Sequence, residues 1–105
     1  MAQTLSLEDM HAAAGRACRL MKALANPDRL MLLCQLAQGE MSVGALEAAL
    51  GIPQPTLSQQ LTVLRDERLV ATRRDGKYVY YRVRNGPALA VLQALYAQFC
   101  ERKKR

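Results

Sequence analysis

Apolar residues recur every three or four positions along the first quarter of the chain. Between positions 7 and 25 they are Leu7, Met10, Ala14, Cys18, Met21 and Leu24 or Ala25. This spacing places them on one face of an amphipathic helix. Ser6 suits the cap of that helix, and the acidic pair Glu8 and Asp9 suits its first turn. We therefore predict a first helix over about 7–25.

Three further helical segments follow. Asn26 and Pro27 suit an N-cap and a first helical position, and the second helix should run to about Gln38 before Gly39. Its expected buried stripe is Leu30, Leu33, Cys34 and Ala37. Ser42 opens a short third helix, "VGALEAAL", that ends at Gly51. After "IPQP", a fourth helix, "TLSQQLTVLRDERL", directs Leu57, Leu61 and Leu64 inward.

The pattern then changes from a helical period to strict alternation. "VATRR-DG-KYVYYRV" predicts two strands around Asp75 and Gly76, a strong hairpin-turn pair. Val79, Tyr81 and Val83 should face the core. A last helix is expected over about 87–103, with Leu89, Leu92, Tyr96 and Phe99 or Cys100 on one side.

Two short helices joined at a glycine and followed by a basic hairpin describe a winged helix-turn-helix. The predicted fold class is mainly α (α+β), in the order four helices, a two-stranded hairpin and a fifth helix. We expect one domain over 1–105, with the helix-turn-helix at about 42–67 and the wing at about 70–84.

The charge balance favours an anionic partner. Lys and Arg number 15 against 9 Asp and Glu, a net charge of +6, and the pI is about 9.7. No apolar run approaches the ~20 residues of a membrane span, and the N-terminus lacks a secretory signal pattern. We therefore expect a cytoplasmic protein without membrane association, whose three cysteines form no structural disulfide framework.

The fourth helix begins with short polar side chains, as a DNA-reading helix requires. Such a helix enters the major groove by its N-terminal part, and a Gln contact there discriminates bases by roughly 1–3 kcal/mol. The wing adds cations for phosphate or the minor groove. The predicted contacts with double-stranded DNA are Gln54, Thr56, Ser58, Gln59, Gln60, Arg65, Arg73, Arg74 and Lys77. The alternatives are a solvated helix face and a charged edge strand that resists aggregation.

The cysteines admit several interpretations. Cys34 lies among leucines and Cys100 near a tyrosine, so both could simply fill the core. A metal site could combine them with Cys18 and His11, seven residues apart on the first helix, although no local spacing supports it. A small thiol enzyme would need an activated cysteine in a polar pocket, and the chain has neither a CxxC motif nor a histidine near either cysteine in sequence. We therefore expect no enzyme, no catalytic residue and no cofactor.

At these residues the chain resembles the ArsR/SmtB family of dimeric winged-helix repressors. The matching segments are "LANPDRLMLLCQLAQGE", "LGIPQPTLSQQLTVLRDERLV" and "RRDGKYVYYRV". The resemblance implies a homodimer built from the first and last helices, at about 7–25 and 87–103. It also implies a roughly palindromic operator and an inducer that lowers operator affinity.

The metal sites of the family are not matched here. Where metal-sensing members carry an "ELCVCDL"-like segment this chain has "EMSVGAL", with Ser42 and Gly44 at the two cysteine positions. The last helix has no His or Asp and only Glu101. Cys34 and Cys100, with "QPTLSQQL", resemble the sulfide- and persulfide-responsive branch, the BigR/SqrR type.

That branch implies that a disulfide or a chain of sulfur atoms joins Cys34 and Cys100 and releases DNA. The inducer would be a small sulfane-sulfur compound or an oxidant. Related regulators of this pattern act instead as activators that displace a silencer, so a non-sensing activator remains an alternative. A thiolate-site metal sensor is a weaker one.

Overall fold

Three side-chain caps start the first three helices at the residues that the sequence indicates. The computed structural model describes residues 5–100 and places α1 at Leu7–Leu24, α2 at Pro27–Ala37 and α3 at Val43–Leu50. The Ser6 hydroxyl accepts from the Asp9 amide at 3.0 Å, and the Asn26 side chain accepts from the Arg29 amide at 3.0 Å. Ser42 caps α3 in the same way. Each cap satisfies an amide that has no partner within its helix.

The helix-turn-helix is formed by α3 and α4, the latter spanning Gln54–Asp66. Gly51 ends α3 in the left-handed conformation, with φ of 69°, and its amide donates to the Glu47 carbonyl at 2.9 Å. A side chain at this position would be strained, which explains why the turn uses glycine. Pro53 precedes α4 and supplies no side-chain cap.

The wing is a three-stranded antiparallel sheet, and the sequence predicted only two of its strands. Strands β2 (Val70–Asp75) and β3 (Tyr78–Val83) pair from Val70↔Val83 to Asp75↔Tyr78. The short strand β1, Met41–Ser42, pairs with the other edge of β3, giving the order β1-β3-β2. Two residues are too short to show an alternating pattern, so β1 could not be seen in the sequence.

Leucines from three helices make the centre of the core. The most deeply buried leucines are at most 2% exposed: Leu32, Leu33, Leu46, Leu57, Leu61 and Leu64. The stripe expected for α2 needs one correction, because Ala37 is exposed and Leu36 is buried in its place. Leu33 is buried as expected, whereas Leu30 and Cys34 are only half-buried. The buried face of α2 is therefore rotated from the predicted one, because it includes Leu32 and Leu36 beside Leu33.

The two terminal helices are only partly packed within the protomer. In α1 the buried residues are Ala23 and Leu24, and most of its apolar stripe is exposed. Helix α5 spans Pro87–Leu95 and continues as a π-helical turn over Tyr96–Cys100, where the sequence predicted regular helix. Positions 101–103 of the expected last helix lie outside the described residues.

The element order confirms the mainly α, winged helix-turn-helix fold with a small antiparallel sheet. Val79, Tyr81 and Val83 face the core as predicted: Tyr81 is buried, and the two valines are half-buried against it. Within residues 5–100, no helix is both long enough and apolar enough to cross a membrane.

Candidate nucleic-acid interface and cysteine pocket

The polar start of α4 is exposed at three of its five predicted contact residues. Gln54, Ser58 and Gln59 are exposed, while Thr56 is half-buried. Gln60 is half-buried too, and its side-chain oxygen accepts from Arg29 Nη1 at 2.9 Å. The exposed side chains are free to reach base edges in a groove, whereas Gln60 already has a protein partner.

The predicted wing cations differ in how they are held. Arg73 forms an ion pair with Glu40, with Nη2 at 2.8 Å from Oε1, and its guanidinium lies 4.7 Å from the centre of the Tyr80 ring. Lys77 lies 5.6 Å from the centre of the Tyr78 ring. Arg74 is exposed, as is Arg65 on α4. The wing therefore presents a cationic surface interleaved with tyrosines.

Glu40 was not singled out in the sequence, although it governs the electrostatics of the wing. The hydrogen bond from Arg73 holds the pKa of Glu40 below its usual range, and the charges of Arg73 and Arg82 add to this effect. The carboxylate reciprocally raises the pKa of Arg73. Glu40 and Arg73 lie 33 positions apart, and the pairing of both β1 and β2 with β3 brings their segments together.

Cys34 of α2 and Cys100 of the π-helical turn line the same pocket. The pocket has a volume of about 450 Å³. Cys34 is half-buried, Cys100 is exposed, and both are free thiols. The other lining residues are Ala37, Gln38, Leu92, Gln93 and Tyr96. A small molecule that enters this pocket lies next to both cysteines.

Burial raises the pKa of the Cys34 thiol, and the nearby Cys100 raises it further. The second effect is a repulsion between two thiolates, and it requires that they lie near each other. Cys34 is therefore mainly protonated at neutral pH. The exposed Cys100 is the more accessible of the two sulfurs.

Cys18 and His11 are both exposed on α1, and neither belongs to the lining of the pocket that Cys34 and Cys100 share. Over residues 5–100, no three His, Cys, Asp or Glu side chains are grouped so that they could hold a metal ion. The combination of His11 with the three cysteines is thus not assembled within this protomer.

The glutamines and the tyrosine of the cysteine pocket were not identified in the sequence as part of a site. Gln38 is the residue directly after α2, Gln93 lies on α5, and Tyr96 begins the π-helical turn three positions later. Their side chains carry hydroxyl and amide groups that can hydrogen-bond a polar ligand or a thiolate. Nothing in their local sequence distinguishes them from ordinary surface residues.

The chain matches known regulators along nearly its whole length. It is 48% identical over 101 residues to the biofilm growth-associated repressor of Xylella fastidiosa, covering 96% of this chain and 89% of that protein. The crystal structure of that repressor, BigR, matches with a TM-score of 0.83 over 93% of this chain and all of that one.

Two further proteins are similar in sequence and fold. The transcriptional activator HlyU of Vibrio cholerae is 36% identical over 92% of this chain and 90% of that protein. Its reduced form matches with a TM-score of 0.86 over 90% of this chain and all of that one. A homodimeric winged helix-turn-helix DNA-binding domain of Mycobacterium bovis is 34% identical, with a TM-score of 0.74 over 93% of this chain and 89% of that one.

The family model described as "Bacterial regulatory protein, arsR family" matches residues 26–72, from the cap of α2 to the start of the wing. That range contains the helix-turn-helix and the polar start of α4. Regulators of this family act by binding DNA and are not enzymes. The fold, the segment matched and the extent of identity together show that the chain belongs to the arsR family of DNA-binding transcription regulators.

Proposed function

We propose that this chain is a homodimeric repressor that binds operator DNA when reduced and releases it when Cys34 and Cys100 become joined. The observation that carries the sensing step is that the two thiols, distant in sequence, line one pocket. The arsR-family fold and the similarity to a repressor support the DNA-binding step.

DNA recognition in this proposal belongs to the exposed start of α4. Gln54, Ser58 and Gln59 reach base edges, and Thr56 reaches a base or a phosphate. The amides of Gln54 and Thr56, on either side of Pro55 in the first turn of α4, have no side-chain cap and can donate to a phosphate oxygen. Arg65, Arg73, Arg74 and Lys77 contribute the salt-dependent attraction to the backbone.

A second copy of the chain would cover the apolar side chains that the protomer leaves open. Leu7 and Phe99 are each 81% exposed, and Met10, Met21 and Tyr96 are more than half exposed. A groove of about 660 Å³ runs between α1 and α5, with Leu20, Ala23 and Val91 in its wall. Because α1 packs little within the protomer, a partner is the natural source of its stability. The relative from Mycobacterium bovis is homodimeric.

The thiol chemistry in this proposal begins at Cys100, because Cys100 is exposed, whereas Cys34 is half-buried and its pKa is raised by burial. With an organic persulfide, the Cys100 thiolate attacks the outer sulfur, and the donor leaves as a thiol. Cys34 then attacks the Cys100 sulfur of the new persulfide, and hydrosulfide leaves with the electron pair of the broken S–S bond. With hydrogen peroxide, Cys100 becomes a sulfenic acid and releases hydroxide, and Cys34 displaces water to form the disulfide.

Joining the two sulfurs would attach the end of the last helix to α2. Helix α2 packs against α4 and β3 through its buried leucines, so it contacts both DNA-binding elements. The last helix belongs to the proposed dimer interface. A bridge would therefore change the position of the dimer interface relative to the reading helices. A coupling free energy of ~1–3 kcal/mol between the bridge and DNA binding would lower operator affinity about 5- to 150-fold.

A second candidate function is a cysteine-independent activator of the same fold. It is favoured by the similarity to HlyU, which is named a transcriptional activator. Such a protein would displace a silencer from DNA, and its affinity would not depend on the state of Cys34. The two functions share the DNA-binding surface and differ only in the role of the cysteine pocket.

Thiol variants separate these functions. The probe is a duplex that the reduced wild-type protein selects from a random-sequence pool, and binding is followed by fluorescence anisotropy before and after treatment with a persulfide donor. We expect treatment to release the wild type and Cys18→Ser, and to leave Cys34→Ser and Cys100→Ser bound. Release of Cys34→Ser would reject the bridge, and failure of the treatment to release the wild type would favour the activator.

A further inference from the structure

Arg29, in the first turn of α2, connects the end of α1 to the reading helix α4. Its Nε donates to the Ala23 carbonyl at 2.7 Å, and its Nη2 donates to the Lys22 carbonyl at 3.2 Å. Its Nη1 donates to the side-chain oxygen of Gln60 at 2.9 Å. One guanidinium thus contacts two helices besides its own.

Arg29 contacts α1 at the C-terminal end of that helix. Lys22 and Ala23 belong to the last turn of α1, where carbonyls lose the amide four residues ahead as a partner. The Lys22 carbonyl also accepts from the Ala25 amide at 3.3 Å, so Arg29 is a second donor to it. A cation there also opposes the negative end of the helix dipole. Arg29 is itself held at its backbone, because its amide donates to the capping oxygen of Asn26. Arg29 is therefore held both at its backbone amide and at its guanidinium.

The guanidinium is planar, so its orientation toward α1 determines where Nη1 points as a donor. That donor meets Gln60, whose side chain is half-buried and turned toward α2. The neighbouring Ser58 and Gln59 are exposed instead. Gln60 therefore differs from its neighbours in having its oxygen committed to a protein partner.

A second polar link joins the same two helices farther along. Arg19 of α1 pairs with Glu67, directly after α4, with Nε at 2.8 Å from Oε1. This pair is exposed at Arg19 and is screened by solvent, so it is the weaker restraint. Together the two links hold α4 near its middle and at its end.

We propose that Arg29 and Gln60 are positioning residues that set the direction of α4 relative to α1, and that Gln60 does not read a base. The inference rests on the proposed function, in which α1 belongs to the dimer interface and α4 to the DNA surface. In a dimer, the direction of each α4 relative to the dimer helices determines the distance between the two reading heads. Arg29 and Gln60 thereby set the half-site spacing that the dimer accepts.

The test compares two duplexes: the one selected by the wild-type protein, and the same duplex with one base pair inserted between its half-sites. The wild type should bind the expanded duplex more weakly. In Arg29→Lys and in Gln60→Leu, we expect the ratio of the two affinities to shrink by about 5-fold, the value of one hydrogen bond. The double variant should reduce the affinity ratio no further than either single variant, because both substitutions remove the same hydrogen bond.

Arg84→Lys is the matched control, since Arg84 is an exposed arginine directly after β3 and lies outside the groove between α1 and α5, and it should keep the wild-type ratio. A variant that merely loosens the fold lowers both affinities together and leaves their ratio unchanged, so an unchanged ratio in both single variants overturns the inference. Loss of preference at one base pair in Gln60→Leu alone also overturns it, because Gln60 would then read that base. If the wild type selects no duplex, the proposed function itself fails.

Discussion

Arg73 of the wing donates from Nε to both carboxylate oxygens of Glu40, at 3.0 and 2.9 Å. The pairing engages a cation that sequence reasoning assigned to DNA. Arg73 also lies over the Tyr80 ring, so its side chain is held on two sides. A phosphate that binds Arg73 must therefore compete with Glu40.

Glu40→Gln should strengthen binding to DNA of unrelated sequence. The substitution removes the competing carboxylate and its repulsion of phosphate, which frees Arg73 for one more backbone contact. We expect the slope of log affinity against log salt concentration to become steeper by about one. A salt titration by fluorescence anisotropy measures both quantities.

Glu8→Gln is the charge-matched control, because Glu8 lies at the start of α1, away from the wing. It should leave the slope unchanged. The experiment is valid at neutral pH, because the lowered pKa of Glu40 keeps its carboxylate ionised there. The ion pair is present above the usual glutamate range and is lost only as pH falls through the lowered pKa. Equal slopes for Glu40→Gln and the wild type would show that Glu40 does not keep Arg73 from phosphate.

The two pocket thiols should differ in their reaction with iodoacetamide. Cys100 is exposed, whereas burial and the neighbouring Cys100 raise the pKa of Cys34. Only the thiolate reacts, so alkylation at Cys34 should follow that at Cys100 and should increase as the pH rises above the usual thiol range. Peptide mass spectrometry after timed quenching measures both rates.

Cys100→Ser isolates the mutual effect of the two thiols. It removes a neighbouring thiolate and should shift the pH profile of Cys34 alkylation to lower pH. Cys18→Ser, the control on α1, should not shift it. An unchanged profile in Cys100→Ser would mean that the two sulfurs are too far apart to interact, which would weaken the bridge proposal.

Arg68→Gly should stabilise the protein. Arg68 follows α4 and is the only non-glycine residue with positive φ between residues 5 and 100, at 62°. A left-handed conformation costs a side-chain-bearing residue about 1–2 kcal/mol, partly offset by the greater freedom of glycine in the unfolded chain. We expect an increase of about 0.5–1 kcal/mol in the free energy of unfolding, measured with denaturant. Gly51→Ala, at φ of 69°, should change stability in the opposite direction. A destabilised Arg68→Gly would show that the arginine side chain outweighs the strain.

Phe99→Asp should dissociate the proposed dimer without unfolding the chain. Phe99 is 81% exposed in the protomer, so its loss removes little packing there, while a carboxylate is costly to bury between two subunits. Sedimentation velocity should show a smaller species with an unchanged circular dichroism spectrum. Tyr78→Asp is the control, because Tyr78 is an exposed aromatic residue on the wing. If Phe99→Asp sediments like the wild type, the terminal helices are not the interface.

Most of the fold follows from local signals in the sequence. The caps at Ser6, Asn26 and Ser42 and the left-handed Gly51 are each determined by a few neighbouring residues. Strand β1 was missed because its two residues become a strand only by pairing with β3. The π-helical turn was missed because its residue types also suit an α-helix.

The site was less accessible to sequence reasoning than the fold. The sequence proposed the polar start of α4 as the DNA-binding surface and, through a family resemblance, the two cysteines as a sensing pair. The sequence did not show which residues pair with the predicted DNA contacts. Glu40 with Arg73 and Arg29 with Gln60 come into contact only in the folded chain. The paired residues are 33 and 31 positions apart, so no local sequence pattern predicts these contacts.

The most direct test of the sensing proposal measures the bridge and operator affinity in the same sample. Protein treated with increasing amounts of a persulfide donor is divided between intact mass spectrometry and an anisotropy titration with the selected duplex. We expect the fraction of protein that has lost operator affinity to equal the fraction in which Cys34 and Cys100 are joined, and a reductant to restore both. Full operator affinity in protein that is completely bridged would contradict the proposal.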